Sequence, residues 1–302
     1  MSKTRLSVVI PVFNEEEYIG SCLRSLLAQE AELSEIIVVD NNSTDSSREI
    51  IQGFVLDNPK VRLLCEPNPG VAHARNRGFE AATGDVFARI DADTRVSSNW
   101  ARAIIGYFDR DDTASVGGIT GLNDSYDSPY RGLEKRVVDW QVERGILGGE
   151  KRLANLHGAN MAIRARAWER VRERVSADSG IHEDFDLGIC LTKAGFGIAQ
   201  LDRMRVEVSP RRAYTSPVDF MAYTKATLAT GTLHGVVGAR FRLAVAVHWL
   251  GHLVVWLAYR PYDPATKRFS ARKAFVGGGE RSLPVAGPAE DGRRHPVCAA
   301  RR

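Results

Sequence analysis

In the stretch LSVVIPVFNEEE, residues 6–17, the apolar run LSVVIPV at 6–12 leads directly into an acidic turn. Three similar runs follow it in the first third of the chain: EIIVVD at 35–40, VRLLC at 61–65 and DVFARI at 85–90. Each run is short, largely apolar and rich in β-branched residues. Continuous apolar strands of this kind are typical of parallel sheets that are covered on both faces. We therefore predict four buried parallel strands.

The segments between these strands have the character of helices. We predict helices at residues 15–29, 44–56 and 71–82, the last ending before Gly84. Strand and helix thus alternate, which is the mark of an open α/β sheet. In such sheets, ligands bind in the crevice at the carboxyl ends of the strands. Polar segments follow all four strands here, so we expect them to converge on one crevice.

The turns at the strand ends limit which ligand this crevice can hold. The first turn, PVFNEEE, lacks the glycines of a dinucleotide fingerprint, and no G-x-x-x-x-G-K-[ST] motif occurs in the chain. NAD chemistry and P-loop ATP chemistry are therefore disfavoured. The second turn, DNNSTD at 40–45, offers carboxylate and amide groups that suit ribose hydroxyls and base edges. Ser43 or Thr44 is expected to cap the next helix, with Asp45 in its first turn, which leaves Asp40 for a ligand.

The fourth strand ends in ARIDADT, residues 88–94, where two aspartates lie two positions apart. In an extended chain this spacing points both side chains to one face, where two carboxylates repel each other. A hard divalent cation binds carboxylate oxygens and commonly bridges them to phosphate, which offsets that repulsion. Asp91 and Asp93 thus predict a Mg²⁺ or Mn²⁺ site that serves a nucleoside diphosphate.

The composition of the chain fits a large globular protein. With 302 residues, 44% of them hydrophobic and 26% charged, it can bury a sizeable core, as one α/β domain or as two halves that share a sheet. The four cysteines include no C-x-x-C pair, so neither a zinc knuckle nor a disulfide framework is indicated. The N-terminus has no signal-peptide pattern. We therefore expect a cytoplasmic protein.

The last part of the chain differs from the rest in charge. From Arg240 onward there are twelve Lys and Arg against four Asp and Glu, a balance of +8, whereas residues 1–239 carry −4. No nucleic-acid-binding motif accompanies the basic end, so we expect no nucleic-acid partner and favour an anionic lipid surface. Residues 217–233 predict a helix, and residues 261–302 predict a basic, disordered tail.

The segment LAVAVHWLGHLVVWLAY, residues 243–259, is apolar and carries no formal charge. Its length is at the short limit for crossing a bilayer, and its two histidines and its glycine weaken that interpretation. Trp249 and Trp256 share a helical face and suit a headgroup boundary. Three interpretations stay open: a helix that lies on the membrane, a true span, and a core helix. We favour peripheral attachment to the cytoplasmic face of the membrane.

Six motifs of this chain, taken together and in this order, resemble those of family 2 glycosyltransferases with the GT-A fold. The resemblance implies an open mixed sheet, mostly parallel and flanked by helices, to which this chain adds a helical C-terminal extension. The motifs are SVVIPVFNEEEYI (7–19), IIVVDNNSTDSS (36–47), NPGVAHARNRGFEAATGD (68–85), ARIDADTRVSSNW (88–100), HGANMAIRARAWERV (157–171) and EDFDLGICLTKAG (183–195).

The resemblance also implies roles for residues at the strand ends. The family often has a second aspartate at the position after Asp40, whereas this chain has Asn41. By this likeness the donor-binding residues are Pro11, Phe13 and Glu15 at the base pocket, Asp40 at the nucleoside, Asp91 at the ribose and the metal, and Asp93 at the metal.

The acidic pair Glu183–Asp184 precedes a helix-like segment, where both carboxylates also suit the positive end of the helix dipole. In the family, the aspartate of this pair is the general base of an inverting transfer, a role that maps to Asp184. It would take a proton from the acceptor hydroxyl as that oxygen attacks the anomeric carbon. Glu183 would orient the acceptor or the base. His157 and His182 flank these motifs and suit either a metal shell or a structural role.

The main hypothesis is a metal-dependent, hexosyltransferase-like enzyme of cell-envelope glycan synthesis, with a nucleotide-sugar donor, UDP-sugar favoured, and a glycan or lipid-linked acceptor. A catalytically silent sugar-nucleotide-binding or assembly protein is one alternative. A nucleotidyltransferase is another, although it usually has a Gly-rich, basic loop where this chain has PVFNEEE. The predicted units are a catalytic domain at 1–215, with a nucleotide-binding half (1–95) and an acceptor half (96–215), C-terminal helices at 216–260, and the tail at 261–302.

Overall fold

The computed structural model describes residues 4–264 and 266–270 of the chain. A nine-stranded mixed sheet forms the centre, and helices lie on both of its faces. The strands of this sheet are β1 (Leu6–Val12), β2 (Glu35–Asp40), β3 (Val61–Cys65), β4 (Val86–Ile90), β5 (Arg95–Val96), β6 (Val116–Ser125), β7 (Lys151–Leu153), β8 (Asn160–Arg164) and β9 (Gly197–Val208).

Most strands of the sheet run in one direction. The strand order is β3-β2-β1-β4-β8-β6-β9-β5, and β7 also pairs with β9. Neighbours among β3, β2, β1 and β4 are parallel. β8 is antiparallel to both β4 and β6, whereas β9 is parallel to β6, so β6 and β9 point the same way as β1. The prediction of an open, mostly parallel α/β sheet is confirmed.

The helices flank this sheet, and two of them extend the chain beyond it. A short 3-10 helix, Pro210–Tyr214, connects β9 to the C-terminal pair of helices. The α-helices are α1 (Ile19–Leu27), α2 (Ser47–Asp57), α3 (Val71–Ala81), α4 (Trp100–Phe108), α5 (Arg131–Glu143), α6 (Ala165–Val171), α7 (Glu183–Lys193), α8 (Pro217–Leu233) and α9 (Ala239–Tyr259).

Alternate residues of the central strands belong to two separate hydrophobic cores. In β1, Val8 and Ile10 join the core formed with α1, α2 and α4, whereas Val9 joins the core formed with α3, α6 and α7. In β2, Val38 belongs to the first of these cores and Val39 to the second. Because both faces are covered, these strands need no polar side, which explains their continuous apolar runs in the sequence.

The first two helices begin later than the sequence predicts. α1 starts at Ile19 and not at residue 15, because the preceding acidic residues bind the turn after β2 instead. The backbone N–H of Glu15 donates to Ser47 Oγ at 2.7 Å, and that of Glu16 donates to Asp45 Oδ2 at 3.0 Å. The two turns thus fix each other across the edge of the sheet.

The turn before α2 is held by Asp45 and not by the predicted caps. Asp45 Oδ1 accepts from the N–H of Ser47 at 2.9 Å, in the first turn of α2. Ser43 Oγ instead accepts from the N–H of Asn14 at 3.1 Å, and the N–H of Thr44 donates to Asn14 Oδ1 at 2.8 Å. The expected capping role is therefore wrong for Ser43 and Thr44, since both bind the turn after β1.

One face of α9 packs against the protein. His252 Nε2 lies 2.9 Å from the carbonyl oxygen of Thr215, and Trp249 Nε1 donates to the carbonyl oxygen of Pro217 at 3.0 Å. Trp249 is therefore turned toward the protein, which contradicts its predicted place at a headgroup boundary. α8 coincides with the predicted helix, and α9 begins at Ala239, before the uncharged segment.

The other face of α9 is uncovered. Within the described ranges, α9 is the single helix whose length and composition would let it cross a bilayer, and 11% of its most apolar window is buried. Beyond it, β10 (Tyr262–Asp263) and β11 (Arg268–Phe269) form a small antiparallel hairpin. The prediction of disorder from residue 261 is wrong for this hairpin, and residues 271–302 lie outside the described residues.

Candidate active site

The carboxyl ends of β1, β2 and β4 meet at one edge of the sheet, as their parallel pairing requires. Pro11 lies within β1 near this edge, and Phe13 follows the strand with 49% of its surface exposed. Asp40 ends β2 but is only 2% exposed, and its Oδ1 accepts from the N–H of Ser43 at 3.2 Å. The predicted base-pocket residues are thus brought together, although Asp40 is more buried than a freely available ligand group.

Asn41 has a role that an aspartate could not fill. Its Nδ2 donates to the carbonyl oxygens of Glu66 and Asn68 at 2.8 and 2.7 Å, and its Oδ1 accepts from the N–H of Gly70 at 2.7 Å. Gly70 has a φ of 131°, which lies in the region that favours glycine. The amide at position 41 therefore fixes the loop between β3 and α3 against the end of β2.

Each of the two aspartates after β4 contacts an arginine of its own. Arg89 Nη2 lies 2.8 Å from Asp91 Oδ1, and Arg211 Nη2 lies 2.6 Å from Asp93 Oδ2. The Asp91 side chain is 33% exposed and that of Asp93 is 7% exposed. Two guanidinium groups of the protein itself therefore offset the repulsion between these carboxylates, and neither was predicted from the sequence.

The donor set at this position fits a hard divalent cation. Arg89 contacts one oxygen of Asp91 and Arg211 one oxygen of Asp93, so the second oxygen of each carboxylate lies outside these ion pairs. Mg²⁺ and Mn²⁺ prefer carboxylate oxygens and are commonly held by one or two carboxylates together with substrate phosphate. Asp91 and Asp93 would hold such a cation.

A second group of potential metal ligands lies between α7 and the end of α8. Single ligand atoms of Asp186, Cys190 and His234 lie within 4.8 Å of one another. His234 Nε2 is already 2.7 Å from Asp186 Oδ1, and the ammonium of Lys193 lies 3.2 Å from His234 Nδ1. A cation next to that ammonium would be repelled, so this group is better described as a hydrogen-bond network that joins α7 to the end of α8.

Arg211 also reaches Glu15 across the crevice. Its Nη2 donates to both carboxylate oxygens of Glu15, at 3.0 and 2.8 Å, and its guanidinium lies 4.2 Å from the centre of the Tyr18 ring. Arg211 is therefore bound by two acidic residues and one aromatic ring. Glu15, expected at the base pocket, is tied to Asp93 through this one side chain.

Glu183 lies at the centre of a buried ion-pair network. Its carboxylate accepts from Arg75 Nη1 at 2.9 Å and lies 3.2 Å from Arg89 Nη1, and both arginines are almost fully buried. A Cβ at Gly158 would lie 1.5 Å from Arg89 Nη1, so glycine is needed there to make room for that guanidinium. Buried charges are costly unless paired, and the two arginines supply that pairing for the Glu183 carboxylate.

Asp184 opens α7 beside Glu183 and is half-buried. Its Oδ2 accepts from the N–H of Gly158 at 2.9 Å, and its Oδ1 accepts from that of Phe185 at 2.8 Å. Burial alone would raise the pKa of Asp184, but the Gly158 hydrogen bond, with His182, Arg89 and His157, lowers that pKa below its ordinary value. The carboxylate is therefore ionised at neutral pH, as a general base must be.

Of the two histidines near Asp184, His182 contacts the surrounding structure. His182 Nε2 lies 2.8 Å from the carbonyl oxygen of Tyr223, and its backbone N–H donates to Thr230 Oγ1 at 2.9 Å. Burial lowers the pKa of both His157 and His182 below 6.5. Both rings are therefore neutral at pH 7, and His182 is held as a structural residue.

Arg212 extends the positive charge of the site toward Asp184. Its guanidinium lies 5.0 Å from the centre of the Tyr223 ring. Desolvation opposes its charge, but Tyr223, Asp91, Asp184 and Asp93 together raise the pKa of Arg212 above its ordinary value. The signal in the sequence is the pair of neighbouring arginines in SPRRAY, directly after β9. This segment lies outside the six motifs, so no role was predicted for it.

Comparison with known sequences agrees with this arrangement. The sequence profile described as Glycosyl transferase family 2 matches residues 7–171. The uncharacterized glycosyltransferase YibD of Escherichia coli K12 is 43% identical over 95 residues, which are 32% of this chain and 28% of that protein. The glycosyltransferase GlyG of Streptococcus pneumoniae is 38% identical over 95 residues, 31% of this chain and 32% of that protein. The matched segment therefore spans less than a third of either relative.

Comparison with solved structures establishes the fold. The mannosyltransferase PcManGT of Pyrobaculum calidifontis, in complex with GDP-Man and Mn²⁺, has a TM-score of 0.62 at 19% identity, over 94% of this chain and 78% of that chain. Glucosyl-3-phosphoglycerate synthase of Mycobacterium tuberculosis, with Mn²⁺, UDP and phosphoglyceric acid, has a TM-score of 0.52 at 18% identity, over 78% of this chain and 80% of that chain. The fold is the predicted GT-A fold. Since the family profile covers more than half of the 302 residues, the chain belongs to glycosyl transferase family 2.

Proposed function

We propose that this glycosyltransferase moves a sugar from a nucleotide-diphosphate sugar to an acceptor hydroxyl in one inverting displacement. The observation that carries the proposal is the series Asp91–Arg89–Glu183, with N–O distances of 2.8 and 3.2 Å, in which Arg89 and Glu183 are buried. It connects the carboxylates suited to a cation with the first turn of α7, where Asp184 lies. One buried arginine, Arg89, thus links Asp91, at the proposed donor site, to the helix turn that carries Asp184, the proposed base.

The chemistry follows from the charge states of the residues. Asp184, ionised at neutral pH, takes the proton of the acceptor hydroxyl as that oxygen attacks the anomeric carbon. The bond from the anomeric carbon to the diphosphate oxygen breaks in the same step, and attack on the opposite face inverts the configuration. Arg212 is suited to the negative charge that grows on the departing diphosphate. A divalent cation bound by Asp91 and Asp93 would supply Lewis-acid stabilisation of the same charge.

The donor is proposed to be a UDP-sugar, bound at the ends of β1 and β2. The exposed ring of Phe13 and the adjacent Pro11 offer an apolar surface for a base, and Asp40 and Glu15 offer carboxylates for the nucleoside. Solved structures with this fold contain UDP or UDP-GlcNAc in some cases and GDP-Man in another. We propose Mg²⁺ or Mn²⁺ as the cation, a catalytic unit at residues 1–215, and a donor half that ends near residue 95.

The acceptor is proposed to be a glycan or a lipid-linked sugar that is presented at the cytoplasmic face of the membrane. α9 has an uncovered apolar stripe, and Arg240, Arg242 and Arg260 lie at its two ends. Apolar burial together with attraction of these arginines to anionic lipid would hold the chain at a membrane surface without a span. The members of the stripe, which recur at helical spacing, are Leu243, Val247, Leu250 and Val254, each between 53% and 66% exposed.

A screen of donor hydrolysis tests the proposed activity. The full chain is incubated with Mn²⁺ and a panel of UDP-, GDP-, dTDP- and CMP-sugars, and release of the nucleotide is followed with water as the acceptor. We expect release from one or a few UDP-sugars, lost in EDTA, and a sugar product of inverted configuration by NMR. A retained configuration would contradict the single displacement. Tight binding of a UDP-sugar without any turnover would favour the catalytically silent binding protein.

A further inference from the structure

The Arg211 side chain lies where a cation that used Asp93 Oδ2 would have to bind. Its guanidinium is 2.6 Å from Asp93 Oδ2 and 2.8 Å from Glu15 Oε2, and its side chain is 22% exposed. Asp93 Oδ2 accepts from two N–H groups of Arg211, Nη2 at 2.6 Å and Nε at 3.2 Å, so both acceptor positions of this oxygen are used. A divalent cation that used the same oxygen would be next to a positive guanidinium, so the two compete for it.

We propose that Arg211, which is held between Glu15 and Asp93, is a positioning residue that takes the place of the divalent cation at Asp93, and that the cation displaces it. This inference rests on the proposed cation site at Asp91 and Asp93. Before the cation binds, Arg211 offsets the charge of the two carboxylates and holds them in place. Binding of the cation releases the guanidinium into the crevice, at the side from which the donor diphosphate arrives.

The surroundings of Arg211 allow such a release. It belongs to the 3-10 helix Pro210–Tyr214, outside the sheet, whereas Asp93 follows β4 and Glu15 follows β1. The long arginine side chain can therefore turn away while the carboxylates keep their positions on the sheet. Arg75 and Arg89 differ from Arg211 in this respect, because they are only 0% and 4% exposed and their side chains have no space in which to turn away.

The inference predicts a direction of change that a purely structural role would not produce. If Arg211 only stabilises the site, Arg211→Gln should leave Mn²⁺ binding unchanged or weaken it. If Arg211 competes with the cation, the same variant should bind Mn²⁺ more tightly in the absence of nucleotide, by about fivefold or more. Arg211→Lys, with one ammonium in place of a two-pronged guanidinium, should show a smaller gain.

The experiment is a titration of the full chain with Mn²⁺, with and without UDP, in which free Mn²⁺ is counted by electron paramagnetic resonance. The matched control is Arg205→Gln. Arg205 is 23% exposed and also pairs with two carboxylates, those of Asp124 and Asp139, but it lies on β9 away from the crevice. We expect tighter binding in Arg211→Gln, no change in Arg205→Gln, and loss of the gain when Asp93→Asn is added.

The outcomes separate this inference from the proposed cation site. In one outcome, Mn²⁺ binds the native chain in the presence of UDP and this binding is lost in Asp93→Asn, but Arg211→Gln and Arg211→Lys bind Mn²⁺ no more tightly than the native chain does. The competition is then wrong and the cation site stands. If Mn²⁺ binds neither the native chain nor the variants, even with UDP, the cation site is wrong and the inference falls with it. Thermal unfolding of each variant shows whether it is folded.

Discussion

Replacing Asn41 by aspartate tests the role assigned to this side chain in the loop between β3 and α3. The family likeness makes aspartate an ordinary residue at this position, so on that basis alone the change would be harmless. In the structure, Asn41 is 6% exposed and its Nδ2 donates to the carbonyl oxygens of Glu66 and Asn68. An ionised aspartate side chain at the same position would lose both donors and set a negative oxygen against two carbonyl oxygens.

The size of this effect follows from the two lost hydrogen bonds. Leaving a buried polar group without its partner costs about 1–3 kcal/mol, so two such groups should lower the free energy of unfolding by about 2–6 kcal/mol. For a chain of this size that corresponds to a fall in Tm of roughly 3–10 °C. The new carboxyl would have a raised pKa in the folded state. The folded protein then binds more protons, so the loss of stability is largest at neutral pH and shrinks as the pH falls.

Thermal unfolding at pH 7.5 and at pH 5 measures both the loss and its pH dependence. Asn42→Asp is the matched control, because Asn42 donates one hydrogen bond, to the carbonyl oxygen of Pro67, and should cost less. Asn42 has a φ of 68°, which asparagine and aspartate both tolerate. If Asn41→Asp unfolds at the same temperature as the native chain, the account of this loop is refuted.

Three further predictions follow from the site and from α9. Asp93→Asn should abolish Mn²⁺-dependent UDP binding while the protein stays folded, and unchanged binding in a titration calorimeter would exclude Asp93 as a metal ligand. Burial lowers the pKa of His182 in the folded state, so below pH 6.5 the unfolded chain binds one proton that the folded chain does not, and stability is lost as the pH falls. The dependence of Tm on pH should therefore be weaker in His182→Gln. Leu250→Gln combined with Val254→Gln should weaken sedimentation with anionic vesicles about tenfold, whereas Leu56→Gln, at an 87% exposed position on α2, should not; equal sedimentation of both variants would argue against docking through α9.

The strands could be predicted because their signal is local. β1, β2 and β3 begin and end at the predicted residues, since a strand buried on both faces is apolar along its whole length. The start of α1 was not predictable in this way. The helix pattern extends back to Glu15, but its backbone N–H is taken by Ser47, which is 32 positions away in the chain.

The candidate site was predictable only in its acidic half. The carboxylates stand in short motifs, whereas the arginines that pair with them come from distant parts of the chain. Arg75 is separated from Glu183 by 108 positions, and Arg211 from Glu15 by 196. Short motifs do not reveal which of the many arginines is buried, because that depends on the fold as a whole. Gly158 shows the same limit, since the close contact that requires glycine there is with Arg89, a residue from a distant part of the chain.

The central claim, that Asp184 is the general base of the transfer, is tested most directly by Asp184→Asn. The amide keeps the shape of the side chain but cannot accept the proton, so turnover of the donor should fall about a hundredfold or more while UDP-sugar affinity is kept. Asp178→Asn, an exposed position shortly before α7, is the control and should keep both. A variant that loses donor affinity as much as turnover, or that turns over normally, would contradict the claim.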